Sequence, residues 1–172
     1  MSEAVLPAAL VEAAERVIAA NLAAGRRIAI AESCTGGLVA AALTEVPGSS
    51  EVLEAGFVTY SNDAKMAMLG VSPDVLDTFG AVSVATAWSM ARGALDRSGA
   101  DVAVAITGIA GPGGGSLKKP VGTVVFARAV QGDDPSDVHA DRREFGDIGR
   151  GAIRLQAALC ALELLLPGAD TP

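Results

Sequence analysis

The chain has 172 residues, 51% of them apolar and only 3% aromatic, so its core must be built from Ala, Val, Leu and Ile. Twenty acidic side chains against thirteen basic ones give a net charge of −7. That balance argues against a phosphate-backbone surface and direct nucleic-acid binding, although a few placed cations still suffice for a small anionic ligand.

No apolar run approaches the roughly 18 residues of a membrane span. The opening Met1-Ser2-Glu3-Ala4 lacks the positive region of a secretory signal. Cys34 and Cys160 make no zinc or disulfide spacing, and His139 is the lone histidine. The expectation is one soluble, cytoplasmic domain over residues 1–172, with its core at about 8–166 and no metal.

A helix is predicted from about Pro7 to Ala24, with Leu10, Val11, Ala14, Val17, Ile18 and Leu22 on one face and Gly25 closing it. Ile28 to Ala31 reads as a buried strand, and Gly36 to Thr44 as a helix. Gly56 to Tyr60 is the second predicted strand, followed by a short helix from Asn62-Asp63 to Leu69, closed by Gly70. Ser72-Pro73 starts another helix, and Ser83 caps a longer one to about Ser98.

Val102 to Ile106 is a continuous apolar strand of the kind buried on both faces. A glycine-rich loop runs from Gly108 to Gly122. Thr123 to Val130 and Val138 to Phe145 read as a hairpin around Asp133-Asp134-Pro135. The last helix carries Ile153, Ala157, Cys160, Ala161 and Leu164 on one face. Trp88, Met66, Met68 and Met90 are expected in the core. The alternation predicts a three-layer α/β/α domain on a mixed, mostly parallel sheet of about five strands.

Ser33, Cys34 and Thr35 fall at a strand-to-helix turn, where helix N–H groups lack internal partners. A serine there can cap the helix, or it can be an exposed nucleophile beside oxyanion donors. Ligands of open α/β sheets bind beyond the C-terminal strand ends, where Ser33 and the loop starting at Thr107-Gly108 both lie. That loop fits neither the dinucleotide fingerprint nor the P-loop.

Serine needs a base. His139 sits in a polar stretch on a predicted edge strand, which disfavours a Ser-His-Asp triad. Lys65 follows Tyr60-Ser61-Asn62-Asp63 at a strand end. It is either a solvated lysine or a base whose pKa must fall from about 10.4 to about 7, a differential of about 4–5 kcal/mol. Cys34 is a rival nucleophile, or else a small buried filler. Arg142, Arg143, Arg150 and Arg154 offer cations for a phosphate or carboxylate, or balance surface acids.

The segments AESCTGG (31–37), GFVTYSNDAK (56–65), GAVS (80–83), AITGIAGPGGGS (105–116) and KPVGTV (119–124) resemble the CinA C-terminal domain family over about residues 8 to 166. The resemblance implies an α/β/α domain whose stand-alone form hydrolyses nicotinamide mononucleotide to nicotinate mononucleotide and ammonia, without metal or cofactor. It implies Ser33 as nucleophile and Lys65 as base. Tyr60 and Thr107 would line the pocket. Cys34, Thr35, Gly36, Gly37, Gly108 and Gly111 belong to the matched oxyanion and substrate-binding segments. The family's Gly-Asp-Arg is represented here by Gly146-Asp147-Ile148-Gly149-Arg150, two residues longer, which makes Arg150 the matching substrate contact.

The nucleotide-processing domain of longer members is not matched, and its activity is not expected. The expected partner is a small nucleotide, with homo-oligomers implied by likeness. The alternative reading is a non-catalytic nucleotide-binding domain or a competence- or damage-associated accessory.

Overall fold

The computed structural model describes residues 4–169, so Met1, Ser2 and Glu3 of the opening stretch lie outside it. Five strands form one sheet in the order β2-β1-β3-β4-β5: β1 (Ile28–Glu32), β2 (Leu53–Val58), β3 (Val102–Gly108), β4 (Thr123–Val130) and β5 (Ala140–Glu144). β1 pairs in parallel with both β2 and β3, whereas β4 runs against β3 and β5. Four strands therefore share one direction, and the late hairpin makes the sheet mixed.

Among the described residues six α-helices cover the two faces: α1 (Ala8–Ala23), α2 (Leu38–Thr44), α3 (Asn62–Leu69), α4 (Pro73–Phe79), α5 (Val84–Ser98) and α6 (Arg150–Leu164). Strand alternation sorts the side chains by size. Ile28, Ile30, Val102, Val104, Ile106, Val124 and Phe126 face α1, α2 and α6. Ala29, Ala31, Ala103, Ala105, Ala127 and Ala129 face α5 with Val125. Alanines on the sheet and Ala87, Ala91 and Ala94 on α5 let that helix sit close.

Four details depart from the sequence expectations. Leu22 is half-exposed, and Asn21 takes the buried position on α1, because the spacing Leu10-Ala14-Val17 leads to residue 21. Its amide is satisfied by the Val17 and Leu165 carbonyls at 2.8 and 3.0 Å and by Arg26 Nε at 2.8 Å. Strand β2 starts and ends earlier than Gly56 to Tyr60, because its partner β1 spans Ile28 to Glu32, whose ends pair with Leu53 and Val58. Only the Thr59 N–H continues the ladder, donating to the Glu32 carbonyl at 2.9 Å. Helix α2 begins at Leu38, since Gly36 and Gly37 take left-handed φ values of 60° and 99° and form the turn instead. Met68 is exposed and Trp88 half-buried, while Met90 is fully buried.

Candidate functional site

Ser33 is held from both sides by the sheet. Its N–H donates to the Ile106 carbonyl at 2.9 Å, and the next strand over is tied by the Thr59-to-Glu32 bond. The residue therefore sits at the C-terminal end of β1, between the ends of β2 and β3, with 7% of its surface exposed. It does not act as a helix cap: α2 is preceded by Gly37 and has no side-chain cap.

Lys65 reaches the same point from α3. Ser61 caps that helix by accepting from the Ala64 N–H at 3.0 Å, which fixes its start and brings position 65 onto the inward face. The Lys65 side chain is 1% exposed. Its Nζ lies 2.9 Å from Ser33 Oγ, 2.9 Å from the Thr59 carbonyl and 3.2 Å from the Tyr60 carbonyl. Burial lowers the amine's pKa below its ordinary value. Nζ donates to all three oxygens; once deprotonated it would keep two N–H groups for the carbonyls and turn its lone pair to the Ser33 hydroxyl proton.

The two side chains open into a cavity of about 270 Å³, lined also by Cys34, Tyr60, Val82, Thr107, Gly108, Ile109, Gly111 and Arg150. None of its lining residues is acidic, so no counter-ion restores the charge on Lys65. Thr107 is buried, and its hydroxyl donates to the Ala81 carbonyl at 2.8 Å, so it shapes the wall while its own proton is engaged. Arg150 bridges the mouth: Nη1 donates to the Gly111 carbonyl at 2.8 Å and Nη2 to the Tyr60 hydroxyl at 3.1 Å. A larger cavity of about 520 Å³ adjoins through Gly113 and Gly114, with Glu144 and Asp147 on its rim. Its Ser116 hydroxyl accepts from the Lys119 N–H and its Glu144 is paired with Arg142, so the buried hydroxyl–amine contact belongs to the smaller cavity alone of the two.

Cys34 is buried beside Ser33, and burial pushes its thiol up to about 11. It is a protonated filler at neutral pH rather than a nucleophile. His139 stands away from Ser33, on the far side of the sheet: it precedes edge strand β5, meets the Trp88 ring edge-on at 6.2 Å and lies 4.0 Å from Asp133. A triad through it has no geometry. Arg142 donates to the Lys118 carbonyl at 2.6 Å, and Arg143 sits 5.6 Å over the Phe126 ring. Neither lines the Ser33 cavity. Among the described residues no group of His, Cys, Asp or Glu is placed to hold a metal ion, and no helix is long and apolar enough to cross a membrane.

The family model for the CinA C-terminal domain matches residues 11–168, nearly the whole chain. The chain belongs to the CinA C-terminal domain family. Within it, the chain is 51% identical to the nicotinamide-nucleotide amidohydrolase PncC of Enterobacter agglomerans, over 86% of this chain and 88% of that protein. It is 52% identical to a CinA-like protein of Mycobacterium avium over 86% of its own length but 34% of that relative's. The chain thus spans about a third of the length of such longer relatives. Among solved CinA-family structures, the competence/damage inducible protein CihA of Agrobacterium tumefaciens superposes with a TM-score of 0.89 at 53% identity, covering 96% of this chain and 97% of that one.

Glu32 escaped the sequence reading, and Arg154 entered it only as a candidate cation for a phosphate or carboxylate, not as a partner of the Ser33 turn. Glu32 ends β1 with its carboxylate buried, and Arg154, one turn into α6, reaches back to the Ser33 turn. The first leaves a trace in sequence, as an acid just before a helix start. The second's contact with the turn does not, because 120 residues separate Arg154 from Cys34.

Proposed function

We propose that this chain is an amidase acting on nicotinamide mononucleotide, with Ser33 as nucleophile and Lys65 as base. The observation that carries the reading is the 2.9 Å contact between Ser33 Oγ and a buried amine that has no carboxylate partner in the cavity. The family and the PncC likeness support the substrate class.

Lys65 Nζ takes the Ser33 proton as Oγ bonds to the carboxamide carbon. The carbonyl oxygen becomes an oxyanion; the nearest candidates to receive it are the N–H groups of the turn after Ser33, where those of Thr35 and Gly37 have no acceptor among the described residues and lie just behind the cavity lining at Cys34. The Gly36 N–H, grouped with them from sequence, is spent on the Ser33 carbonyl at 3.0 Å. Collapse breaks the C–N bond, and the amine leaves as ammonia with the proton from Lys65. Water then attacks the ester, Lys65 takes its proton, and the C–Oγ bond breaks as Ser33 is reprotonated. Amide plus water has become acid plus ammonia.

Arg150 spends two of its five guanidinium donors on Gly111 and Tyr60, leaving donors for a phosphate at the cavity mouth. The backbone of the glycine loop at Gly108 and Gly111 adds wall without bulk. Assaying ammonia released from nicotinamide mononucleotide tests the reading. Turnover lost in Ser33→Ala supports it, and wild-type release no higher than that variant's refutes it.

A further inference from the structure

The turn from Ser33 to Gly37 is gripped by two opposite charges that never touch the cavity. On one side, Glu32 Oε1 accepts from the Thr35 hydroxyl at 2.7 Å and the Val39 N–H at 2.9 Å, and Oε2 accepts from the Ala40 N–H at 3.0 Å. On the other, Arg154 Nε donates to the Cys34 carbonyl at 3.1 Å and Nη2 to the Thr35 carbonyl at 3.0 Å. Thr35 is bonded to both charges. In a trans peptide the N–H points opposite to the C=O. A guanidinium that fixes the Cys34 carbonyl therefore also fixes the direction of the Thr35 N–H. Holding the Thr35 carbonyl likewise aims the Gly36 N–H, which meets the Ser33 carbonyl.

We propose that Arg154 and Glu32 are positioning residues that set the peptide planes of this turn, and so hold the Ser33 hydroxyl and the free Thr35 N–H in reacting alignment. The proposal rests on the Ser33–Lys65 reading. Neither residue lines the cavity, so their effect falls on the chemical step and not on substrate binding. Arginine suits the role because its fork engages two successive carbonyls, which one lysine ammonium does with poorer geometry.

The test uses Arg154→Ala, Arg154→Lys and Glu32→Gln with two readouts. The first is kcat and KM for ammonia release from nicotinamide mononucleotide. The second, independent of that substrate, is the rate at which an alkyl fluorophosphonate modifies Ser33, followed by intact mass. In that step the Oγ–P bond forms, the P–F bond breaks, fluoride leaves, and the serine proton passes to Lys65. Misalignment of about 1 Å costs about 10²-fold in rate, so both rates should fall by about that factor in Arg154→Ala and Glu32→Gln. KM and the pH limb belonging to Lys65 should stay in place, and Arg154→Lys should recover part of the loss.

Wild-type rates in the folded variants overturn the proposal, as does a rise in KM with kcat unchanged, which would make Arg154 a substrate contact. If Arg154→Ala does not fold, Arg154→Lys decides: an intermediate kcat supports the proposal and a wild-type kcat overturns it. Wild-type protein that is phosphonylated in an Arg154-dependent way but releases no ammonia leaves the proposal standing and removes the amidase reading. Wild-type protein that does neither removes both.

Discussion

Gly93 on α5 lies so close to Leu69 at the end of α3 that a Cβ added to it would sit 2.0 Å from the Leu69 carbonyl oxygen. This contact sets the height of α3 over the sheet, and α3 carries Lys65. Gly93→Ala must push the two helices apart. The expected cost is about 1–3 kcal/mol, the usual range for overpacking, read as a lowered Tm. Because α3 moves with its lysine, ammonia release should fall as well; unchanged Tm and turnover would show that α3 is not positioned by this contact.

Replacing Lys65 by arginine keeps hydrogen-bond donors but removes the proposed base, since a guanidinium does not deprotonate usefully. Turnover should drop by at least about 10²-fold, the lower range for general-base catalysis. In the wild type, kcat should rise with pH through a lysine pKa that burial has brought below its ordinary 10.5. Near-normal turnover in Lys65→Arg would remove this residue from the mechanism.

The same burial links stability to pH. With the folded-state pKa of Lys65 lowered, the unfolded chain binds more protons between that value and 10.5. Wild-type stability, measured against Lys65→Met to cancel other groups, should therefore rise with pH across that window and level off above it. Denaturant melts at a series of pH values give the difference directly. A flat or falling difference contradicts a desolvated amine.

Cys34, held near 11 by burial, should resist alkylation by iodoacetamide at neutral pH while the protein is folded. Cys34→Ala should keep the activity within about an order of magnitude, the loss coming from packing rather than chemistry. Rapid labelling of Cys34 with loss of a serine-independent activity would assign the nucleophile to sulfur.

Arg150→Ala removes charged donors at the cavity mouth. Hydrogen bonds to charged groups are worth about 1.5–3 kcal/mol, so KM for the nucleotide should rise about 10- to 100-fold. The effect should shrink for the riboside, which lacks the phosphate. Equal penalties for both substrates would place the arginine elsewhere on the ligand.

Periodicity and punctuation were enough for most of the architecture. Ser72 and Ser83 cap the helices where the sequence predicts, Ser61 caps the one that the sequence starts at Asn62, and Gly70 and Gly99 end two of them in left-handed conformation. The bounds of β2 were not readable, because where a strand stops pairing depends on where its neighbour ends. Ser33 and Lys65 were legible as candidates, since each stands at a strand-to-helix transition.

By itself, the sequence determined the alternation of helices and strands, the alanine-lined sheet face and the turn in which Ser33 lies, because these follow from local propensity and burial patterns. Only the tertiary structure decided that Lys65 is buried against Ser33 without a counter-charge, that His139 is remote, and that Glu32 and Arg154 clamp the turn. Each of those facts depends on long-range contacts whose chemistry arises from desolvation, and desolvation exists only once the chain has closed around the site.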